Sequence, residues 1–350
     1  MALKEEILSY LRESGGFLSG EELSGRLGRS RTAVWKGVEA LRRCGYEIDS
    51  ATNRGYRLVS CPDLYSPEEI AAGLETEEIG GNIYCYDSVD STNEEAKRQA
   101  LRGAPNGSLF IAEQQTGGKG RLGRNWLSPS GTGIWFSVLL RPGALPDGSR
   151  LPGEGRLPCG VRLPLQIAAT TLLAGEAVCA AICARSRAGS ASQAQIKWPN
   201  DVLIGTKKVC GILTEMSAEI ERVEFVVVGI GINANNADFP EELRQKATSL
   251  RMEQGAPVRR ISLLQEILRR FELLLKENAA SLTPAFLERY KQDCVTLGRR
   301  VSFQRGRAAV SGTAADISPE GELVVRMEDG SLETVRSGEV SVQGIYGETV

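Results

Sequence analysis

The segment Gln114–Trp126 reads QQTGGKGRLGRNW and decides between nucleotide-binding folds. Gly118, Gly120 and Gly123 have the GxGxxG spacing of a dinucleotide-binding turn, which must open a helix and be followed, about 20 residues on, by an acidic residue for the ribose. The residues Asn125–Pro129 cannot open a helix, and no acidic residue stands about 20 positions beyond the first glycine. The sequence therefore excludes a Rossmann-type fold.

The same segment is a basic, glycine-rich loop between two predicted strands. It is not a P-loop, because Lys119 is followed by glycine rather than by serine or threonine. Glycines allow close backbone approach, and Lys119, Arg121 and Arg124 can neutralise phosphate. We expect an anionic ligand to order this loop and Trp126 to stack on a base. The alternative is a solvated basic loop beside a core tryptophan.

Two further segments favour a ligand site over that alternative. The run Ile196–Ile204 places Lys197 in an otherwise apolar, strand-like stretch just before a Pro-Asn-Asp turn. A lysine there is usually a surface residue, but this setting also suits an anion or a carbonyl group. The run Val226–Asn233 is a buried strand whose glycines would let a flat ligand approach the sheet, and Asn233 supplies a polar group at its end.

The composition excludes several classes of chemistry. The 350 residues include 42 basic and 44 acidic side chains, for a net charge of −2, and no histidine. Without histidine there is no Ser-His-Asp or Cys-His catalysis and no imidazole metal ligand. The eight cysteines form no CxxC pair, so we expect reduced core residues and no metal site. No apolar run reaches the ~18 residues of a membrane span, which predicts a cytoplasmic protein without a membrane partner.

Three domains are predicted from changes of pattern along the chain. Residues 1–62 form a winged helix-turn-helix, residues 67–290 a central mixed α/β catalytic domain, and residues 291–350 a small all-β barrel. The fold class is therefore α+β. In the central domain we expect strands over 108–113, 133–140, 208–215 and 223–232, helices over 91–101, 163–185 and 261–278, and a long surface loop over 141–164.

The first domain has the features of a DNA-binding module. Its third predicted helix begins at Ser30, and the stretch Arg26–Arg43 carries six basic residues against one acidic residue. Such a basic stripe is attracted to phosphates, and a helix N-terminus can enter the major groove. A protein-interaction module is the alternative. The residues predicted to contact DNA are Arg31, Thr32, Trp35 and Lys36 on the helix and Arg54 at the tip of the wing.

These segments together resemble one family, the bifunctional biotin–protein ligases that also repress the biotin operon. The resemblance covers nearly the whole chain and rests on the order and spacing of its motifs. They are the winged helix, Asp90-Ser91-Thr92-Asn93, the basic glycine loop, Lys197-Trp198-Pro199-Asn200-Asp201, Lys208-Val209-Cys210-Gly211-Ile212-Leu213, Gly229-Ile230-Gly231-Ile232-Asn233 and the terminal barrel. The expected C-terminal domain is then an SH3-like barrel. Lys119 stands where many members have arginine, which replaces a bidentate phosphate contact by a point charge.

The resemblance implies the enzyme class biotin–[acetyl-CoA-carboxylase] ligase, with biotin as substrate and ATP with Mg²⁺ as cofactors. Biotin becomes biotinyl-5′-AMP and passes to a lysine of a biotin carboxyl carrier protein. With the adenylate bound, a homodimer would bind operator DNA as a repressor. The implied catalytic residues are Lys197 and Arg121. The implied biotin-binding residues are Ser91, Thr92, Asn93, Gln115, Lys119, Gly120, Arg121 and Lys197, and the implied adenylate-binding residues are Arg124, Trp126 and Asn233.

Two alternatives stay open at this point. A ligand-sensing transcription regulator without ligase activity would share the winged helix. A lipoate-type ligase would use a similar adenylation, so the identity of the acyl substrate depends on the resemblance alone. A cysteine acyl-enzyme is disfavoured, because no basic group is placed to activate Cys85 or Cys210.

Overall fold

The computed structural model describes residues 3–141, 166–185, 193–219, 222–279, 281–306, 308–336 and 338–348. The chain divides into two compact units, Met1–Leu64 and Tyr65–Val350. This division lies inside the segment predicted to link the first two domains, and the predicted boundaries at 62, 67 and 290 stay predictions. The predicted surface loop over 141–164 lies outside the described residues, except for Arg141.

The first unit is a winged helix-turn-helix, as predicted. Its elements are α1 (Leu3–Ser14), α2 (Gly20–Leu27), α3 (Arg31–Arg43), β1 (Glu47–Ala51) and β2 (Gly55–Ser60). The two strands pair antiparallel and form the wing.

Helix α3 begins where the sequence predicts. Ser30 accepts a hydrogen bond from the Ala33 amide, which caps the helix N-terminus. Val34, Val38 and Leu41 recur at helical spacing and are buried against α1 and α2. This packing leaves the opposite face of α3 in solvent.

The second unit contains six helices and twelve strands in its described residues. The helices are α4 (Pro67–Ala71), α5 (Thr92–Leu101), α6 (Gln166–Cys183), α7 (Leu250–Gln254), α8 (Arg260–Glu277) and α9 (Pro284–Asp293). The strands are β3 (Ile83–Val89), β4 (Leu109–Gln115), β5 (Ile134–Leu140), β6 (Ala194–Lys197), β7 (Asp201–Ile204), β8 (Lys207–Glu219), β9 (Arg222–Ile232), β10 (Arg300–Arg305), β11 (Ala308–Ile317), β12 (Leu323–Arg326), β13 (Leu332–Val335) and β14 (Val340–Val342).

A seven-stranded sheet in the order β3-β4-β5-β9-β8-β7-β6 forms the centre of this unit. Only β3 and β4 pair in parallel among the described strands of this sheet. Side chains alternate between its faces. Ile111 and Val228 pack on the side of α6 and α8, whereas Phe110 and Val227 pack with α5 on the other side. The glycines of β9 share the α5 face, where they allow other side chains to approach the sheet closely.

The remaining five strands form an antiparallel sheet in the order β13-β12-β11-β10-β14. An all-β C-terminal unit is thus confirmed, and with it the α+β class. Closure of this sheet into an SH3-like barrel stays a prediction. Within the described residues, no helix is both long enough and apolar enough to cross a bilayer.

Candidate functional site

A small cavity of about 50 Å³ lies between the N-terminus of α5, the end of β4 and the basic loop. Its lining includes seven of the eight residues assigned to biotin, which are Ser91, Thr92, Asn93, Gln115, Lys119, Gly120 and Arg121. The structure therefore brings together two segments that are separate in the sequence, 91–93 and 115–121.

Neutral hydrogen bonds fix the polar groups of this cavity. The Thr92 amide donates to Gln115 Oε1 at 2.8 Å, and Gln115 Nε2 donates to Ser128 Oγ at 2.8 Å. The Ser137 hydroxyl lies 2.8 Å from Thr92 Oγ1 and 2.6 Å from Asn93 Oδ1. Such a network holds donors and acceptors in one arrangement before a ligand arrives.

Asn93 faces the cavity with its amide already engaged. Its Nδ2 donates to the Leu213 carbonyl at 3.2 Å and to Glu215 at 2.7 Å, while its Oδ1 accepts from Ser137. In this arrangement the side chain joins α5 to β8 and shapes the cavity wall.

Two glycines of β9 allow this close packing. A Cβ at Gly229 would lie 2.0 Å from Asn93 Oδ1, and one at Gly231 would lie 2.5 Å from Trp126 Nε1. The sequence predicts that these glycines admit a flat group, and here the Trp126 indole occupies that place. Its Nε1 is buried and finds no hydrogen-bond partner in the described part of the chain.

The basic loop folds back on itself, with the Gly120 amide donating to the Arg124 carbonyl at 2.7 Å. Each of its cations meets a group of the chain. Lys119 pairs with Glu94 at 2.7 Å, and this hydrogen bond lowers the pKa of Glu94. Arg121 donates to Asn200 Oδ1 at 2.8 Å, a contact that ties the loop to the turn between β6 and β7.

A larger cavity of about 490 Å³ adjoins the first. The two cavities share Gly120, Arg121, Trp126, Asn200 and Lys208 in their linings. The larger one also contains all three residues assigned to the adenylate, which are Arg124, Trp126 and Asn233. Asn233 is buried, and its Nδ2 donates to the Thr248 carbonyl at 3.1 Å.

Lys197 lines the larger cavity rather than the smaller one. Only 8% of the residue is exposed, its Nζ donates to the Val340 carbonyl at 3.0 Å, and burial lowers its pKa despite the nearby Asp201. It is therefore not the solvated surface lysine that is the commoner case. The resemblance implies that Lys197 binds biotin and its activated carboxylate. The structure places Lys197 in the lining of the larger cavity, next to the small one.

Residues of the C-terminal segment complete the larger cavity. The sequence did not predict this contribution. The Gly338 carbonyl accepts from Arg121 at 2.6 Å, and Glu339 pairs with Arg124 at 2.5 Å. Tyr346 donates to Asp201 Oδ2 at 2.7 Å. The residues in these contacts are 145 to 217 positions apart in sequence, so no local pattern predicts them.

Both cavities are cationic: the smaller has Lys119, Arg121 and Lys208 without a carboxylate in its described lining, and the larger has more charged groups in all. The described lining of the larger cavity holds five cationic side chains against three carboxylates. The cations are Arg121, Arg124, Lys197, Lys208 and Lys246, and the carboxylates are Asp201, Glu339 and Glu348. An excess of cations in a partly buried space suits a phosphate-bearing ligand.

The residues predicted to contact DNA are all exposed in the first unit. They are Arg31, Thr32, Trp35 and Lys36 of α3 and Arg54 at the wing. Arg31 pairs with Glu21 at 2.5 Å, and Arg54 lies 4.3 Å from the centre of the Phe17 ring. Part of the basic stripe is thus engaged within the unit, although its side chains still face solvent.

Comparison with known proteins identifies the family. Residues 4–57 match an HTH domain, residues 85–233 the biotin/lipoate A/B protein ligase family, and residues 296–343 the biotin protein ligase C-terminal domain. The bifunctional ligase/repressor BirA of Bacillus spizizenii is 37% identical over 344 residues, which is 97% of this chain and 98% of that protein. The chain belongs to the bifunctional ligase/repressor family.

Two further relatives match over a smaller part of the chain. The biotin–[acetyl-CoA-carboxylase] ligase of Mycobacterium tuberculosis is 32% identical over 71% of this chain and 85% of its own length. A solved biotin protein ligase from Aquifex aeolicus, in complex with biotin and ATP, is 30% identical, with a TM-score of 0.59 over 75% of this chain and 99% of that chain. The predicted family, the enzyme class of biotin–protein ligase and the repressor-type HTH domain are thereby confirmed.

The sequence assigned no role to Lys208, Asp201 or Tyr346. Lys208 and Asp201 stand within quoted motifs, and the signal for Lys208 is a charged residue directly before the apolar run Val209–Leu213. Tyr346 carries no such signal, because it follows the last strand of the C-terminal sheet and reaches the site only through the fold.

Proposed function

We propose that the two cavities divide one ligand between them. The small cavity takes the biotin ring system, and the larger cavity takes ATP and then the adenosine phosphate of biotinyl-5′-AMP. The observation that carries this proposal is the shared border of the cavities at Arg121, Trp126 and Lys208. There the carboxylate of one substrate would meet the α-phosphate of the other.

The chemistry of each lining supports this division. A cyclic urea needs neutral donors and acceptors held in place, and Thr92 and Gln115 provide them. Triphosphate needs cations, which the larger cavity supplies in excess. Because the small cavity has a volume of about 50 Å³, we expect the Trp126 indole to move when biotin binds.

Positioning and charge then account for both half-reactions. A biotin carboxylate oxygen attacks the α-phosphorus, and the bond to the bridging oxygen breaks with its electron pair leaving on pyrophosphate. The acceptor lysine, as a neutral amine, next attacks the acyl carbon, loses a proton and releases AMP. Neither step requires an enzyme nucleophile or a histidine. Lys197 and Arg121 act by stabilising charge, and the basic loop keeps water from the mixed anhydride.

Mg²⁺ enters this scheme with ATP as part of the substrate. In the described ranges no three His, Cys, Asp or Glu side chains lie close enough to hold a metal ion. We therefore expect phosphate oxygens and water to supply most of its ligands, as is common for Mg²⁺.

The regulatory part of the proposal is a homodimer that forms when the adenylate orders the basic loop. One reading helix covers only a half-site, so two copies would bind a two-fold symmetric operator in the cytoplasm. DNA binding measured with and without biotin plus MgATP tests this step. Equal operator affinity in both conditions would contradict it.

A labelling experiment tests the ligase activity and its acyl substrate. The purified chain is incubated with MgATP, a biotin carboxyl carrier domain and either biotin, lipoate or octanoate. We expect acylation of the carrier lysine with biotin alone. Labelling with lipoate or octanoate instead would favour a lipoate-type ligase, and no labelling with any of them would favour a regulator without ligase activity.

A further inference from the structure

Lys208 occupies the border between the two cavities. It lines both of them, and its Nζ lies 5.2 Å from the centre of the Trp126 ring. A cation over an aromatic face is stabilised by the negative face of the ring. The proposed function brings a carboxylate and a phosphate to this same border.

A buried carboxylate holds this ammonium group in place. Asp201 Oδ1 forms an ion pair with Lys208 Nζ at 2.6 Å, while its Oδ2 accepts from the Tyr346 hydroxyl at 2.7 Å. Because each carboxylate oxygen has its own partner, rotation of the carboxylate is opposed at both ends. Asp201 begins β7, and Tyr346 is a largely buried residue after β14, so the contact joins the two sheets.

The neighbouring Lys207 offers a matched comparison. Its backbone partner across the sheet is Ile204 of β7, and it contributes to neither cavity. Successive side chains of a strand point to opposite faces, so the two lysines share the backbone but not the surroundings. Replacing Lys207 changes the charge of the chain equally without touching the site.

We propose that Lys208 is a further catalytic residue of the adenylation step, and that Asp201 and Tyr346 are positioning residues that act through it. This inference rests on the proposed function. In the step, the attacking carboxylate and the α-phosphoryl oxygens bring negative charge to one point. The Lys208 ammonium stabilises that charge electrostatically, and no proton changes place.

A set of four variants tests the inference in the full-length chain. Lys208→Met removes the charge at similar length, Tyr346→Phe removes only the hydroxyl, and the double variant combines them. Lys207→Met is the control. Single-turnover formation of biotinyl-5′-AMP is measured with saturating biotin and MgATP, and biotin affinity is measured by calorimetry to verify an intact small cavity.

We expect Lys208→Met to slow adenylation about 100-fold, the scale for loss of one preorganised charge contact. Tyr346→Phe should slow it about 10-fold, the scale for loss of one hydrogen bond to a charged group. The double variant should be no slower than Lys208→Met, because the tyrosine acts through the lysine. Lys207→Met should match the wild type, and a fifth variant, Lys208→Arg, should recover part of the rate.

Three results would overturn the inference. Lys208→Met could match Lys207→Met, the effects of Lys208→Met and Tyr346→Phe could multiply in the double variant, or Tyr346→Phe could leave the rate unchanged. If either Lys208→Met or Tyr346→Phe fails to bind biotin, the adenylation rate of the other variant still tests the inference. A wild-type chain that forms no adenylate would overturn the proposed function and this inference together, whereas a failure of the variants alone leaves the proposed function standing.

Discussion

The two cavities of the second unit are built in different ways. The small cavity has polar groups that bind one another, such as Thr92 and Gln115, beside the three cations of its lining. The larger cavity is lined by charges and is completed by Glu339 and Tyr346 of the C-terminal segment. The first combines a preformed hydrogen-bonding network with cations, and the second is a larger electrostatic site assembled from the seven-stranded sheet and the C-terminal segment.

The difference between the cavities predicts which contacts control the binding of each substrate. Neutral hydrogen bonds discriminate by geometry, because an unmatched buried polar group is costly. Clustered cations attract any phosphate and discriminate little, so they contribute to rate and retention. We therefore expect variants of the small cavity to alter selection of biotin, and variants of the larger cavity to alter adenylate formation and release.

The largest effect is expected at the border between the cavities. Arg121→Ala should weaken retention of biotinyl-5′-AMP by roughly 2–4 kcal/mol, because a preorganised charge contact is lost. The dissociation rate of labelled adenylate measures this, with the exposed Arg102→Ala as control. An unchanged dissociation rate in Arg121→Ala would mean that the phosphate binds away from Arg121, and it would contradict the proposed border between the cavities.

A buried charge outside both cavities provides the next test. Glu176 of α6 is 2% exposed at its side chain and pairs with the partly exposed Arg289 at 3.1 Å. Burial, helped by Asp293 and opposed by Arg289, raises its pKa to about 7. Since the folded state binds this proton more tightly than the unfolded state, stability is lost as pH rises from about 4.5 to about 7.

Glu176→Gln should therefore raise the free energy of unfolding by up to about 3 kcal/mol at pH 8 and change it little at pH 4. Chemical denaturation at both pH values measures this, with Glu288→Gln on the exposed side of α9 as control. Ligase activity should not change, because α6 lies on the opposite face of the sheet from the cavities. An equal effect at both pH values would refute the titration of Glu176.

A smaller and more selective effect is expected in the small cavity. Gln115→Ala removes the acceptor of the Thr92 amide and should weaken biotin binding by about 1–2 kcal/mol. Calorimetry with biotin and separately with ATP measures the two affinities, and Gln254→Ala on α7 is the control. A loss of ATP affinity equal to the loss of biotin affinity would mean that the cavities do not divide the ligand.

The smallest effect is expected at the exposed ion pair between Arg124 and Glu339. Their side chains are 68% and 41% exposed, so the pair contributes less than about 1 kcal/mol. Glu339→Gln should release Arg124 and so decrease the KM for ATP by a factor of less than about five. Added salt should reduce the difference in KM between the variant and the wild type. A large rise in KM would show that Glu339 itself contacts the substrate.

The small cavity was the part of the site that the sequence could predict. The seven residues of its lining that the resemblance assigns to biotin come from two short motifs, Asp90–Asn93 and Gln114–Trp126, whereas much of the remaining lining comes from β8 and β9. The winged helix was predictable for the same reason, because helix caps such as Ser30 and the apolar spacing are local features.

The rest depended on contacts between distant segments. Strand β3 escaped prediction because its side chains are half-buried or exposed and its apolar run, 83–86, has only four residues. Helix α9 escaped because the sequence after residue 278 shows no strong periodicity. The buried setting of Lys197 depends on the Val340 carbonyl, which is 143 residues away in sequence. Local patterns carry no information about such a partner.

The central claim is that biotin and nucleotide occupy adjoining cavities that meet at Arg121 and Lys208. A crystal structure with a stable analogue of biotinyl-5′-AMP tests it most directly. We expect the ureido ring to lie against Thr92 and Gln115. The phosphate should lie between Arg121 and Lys208, and the adenosine should lie in the larger cavity beside Asn233. Adenosine in the small cavity, or a phosphate remote from both cations, would contradict it.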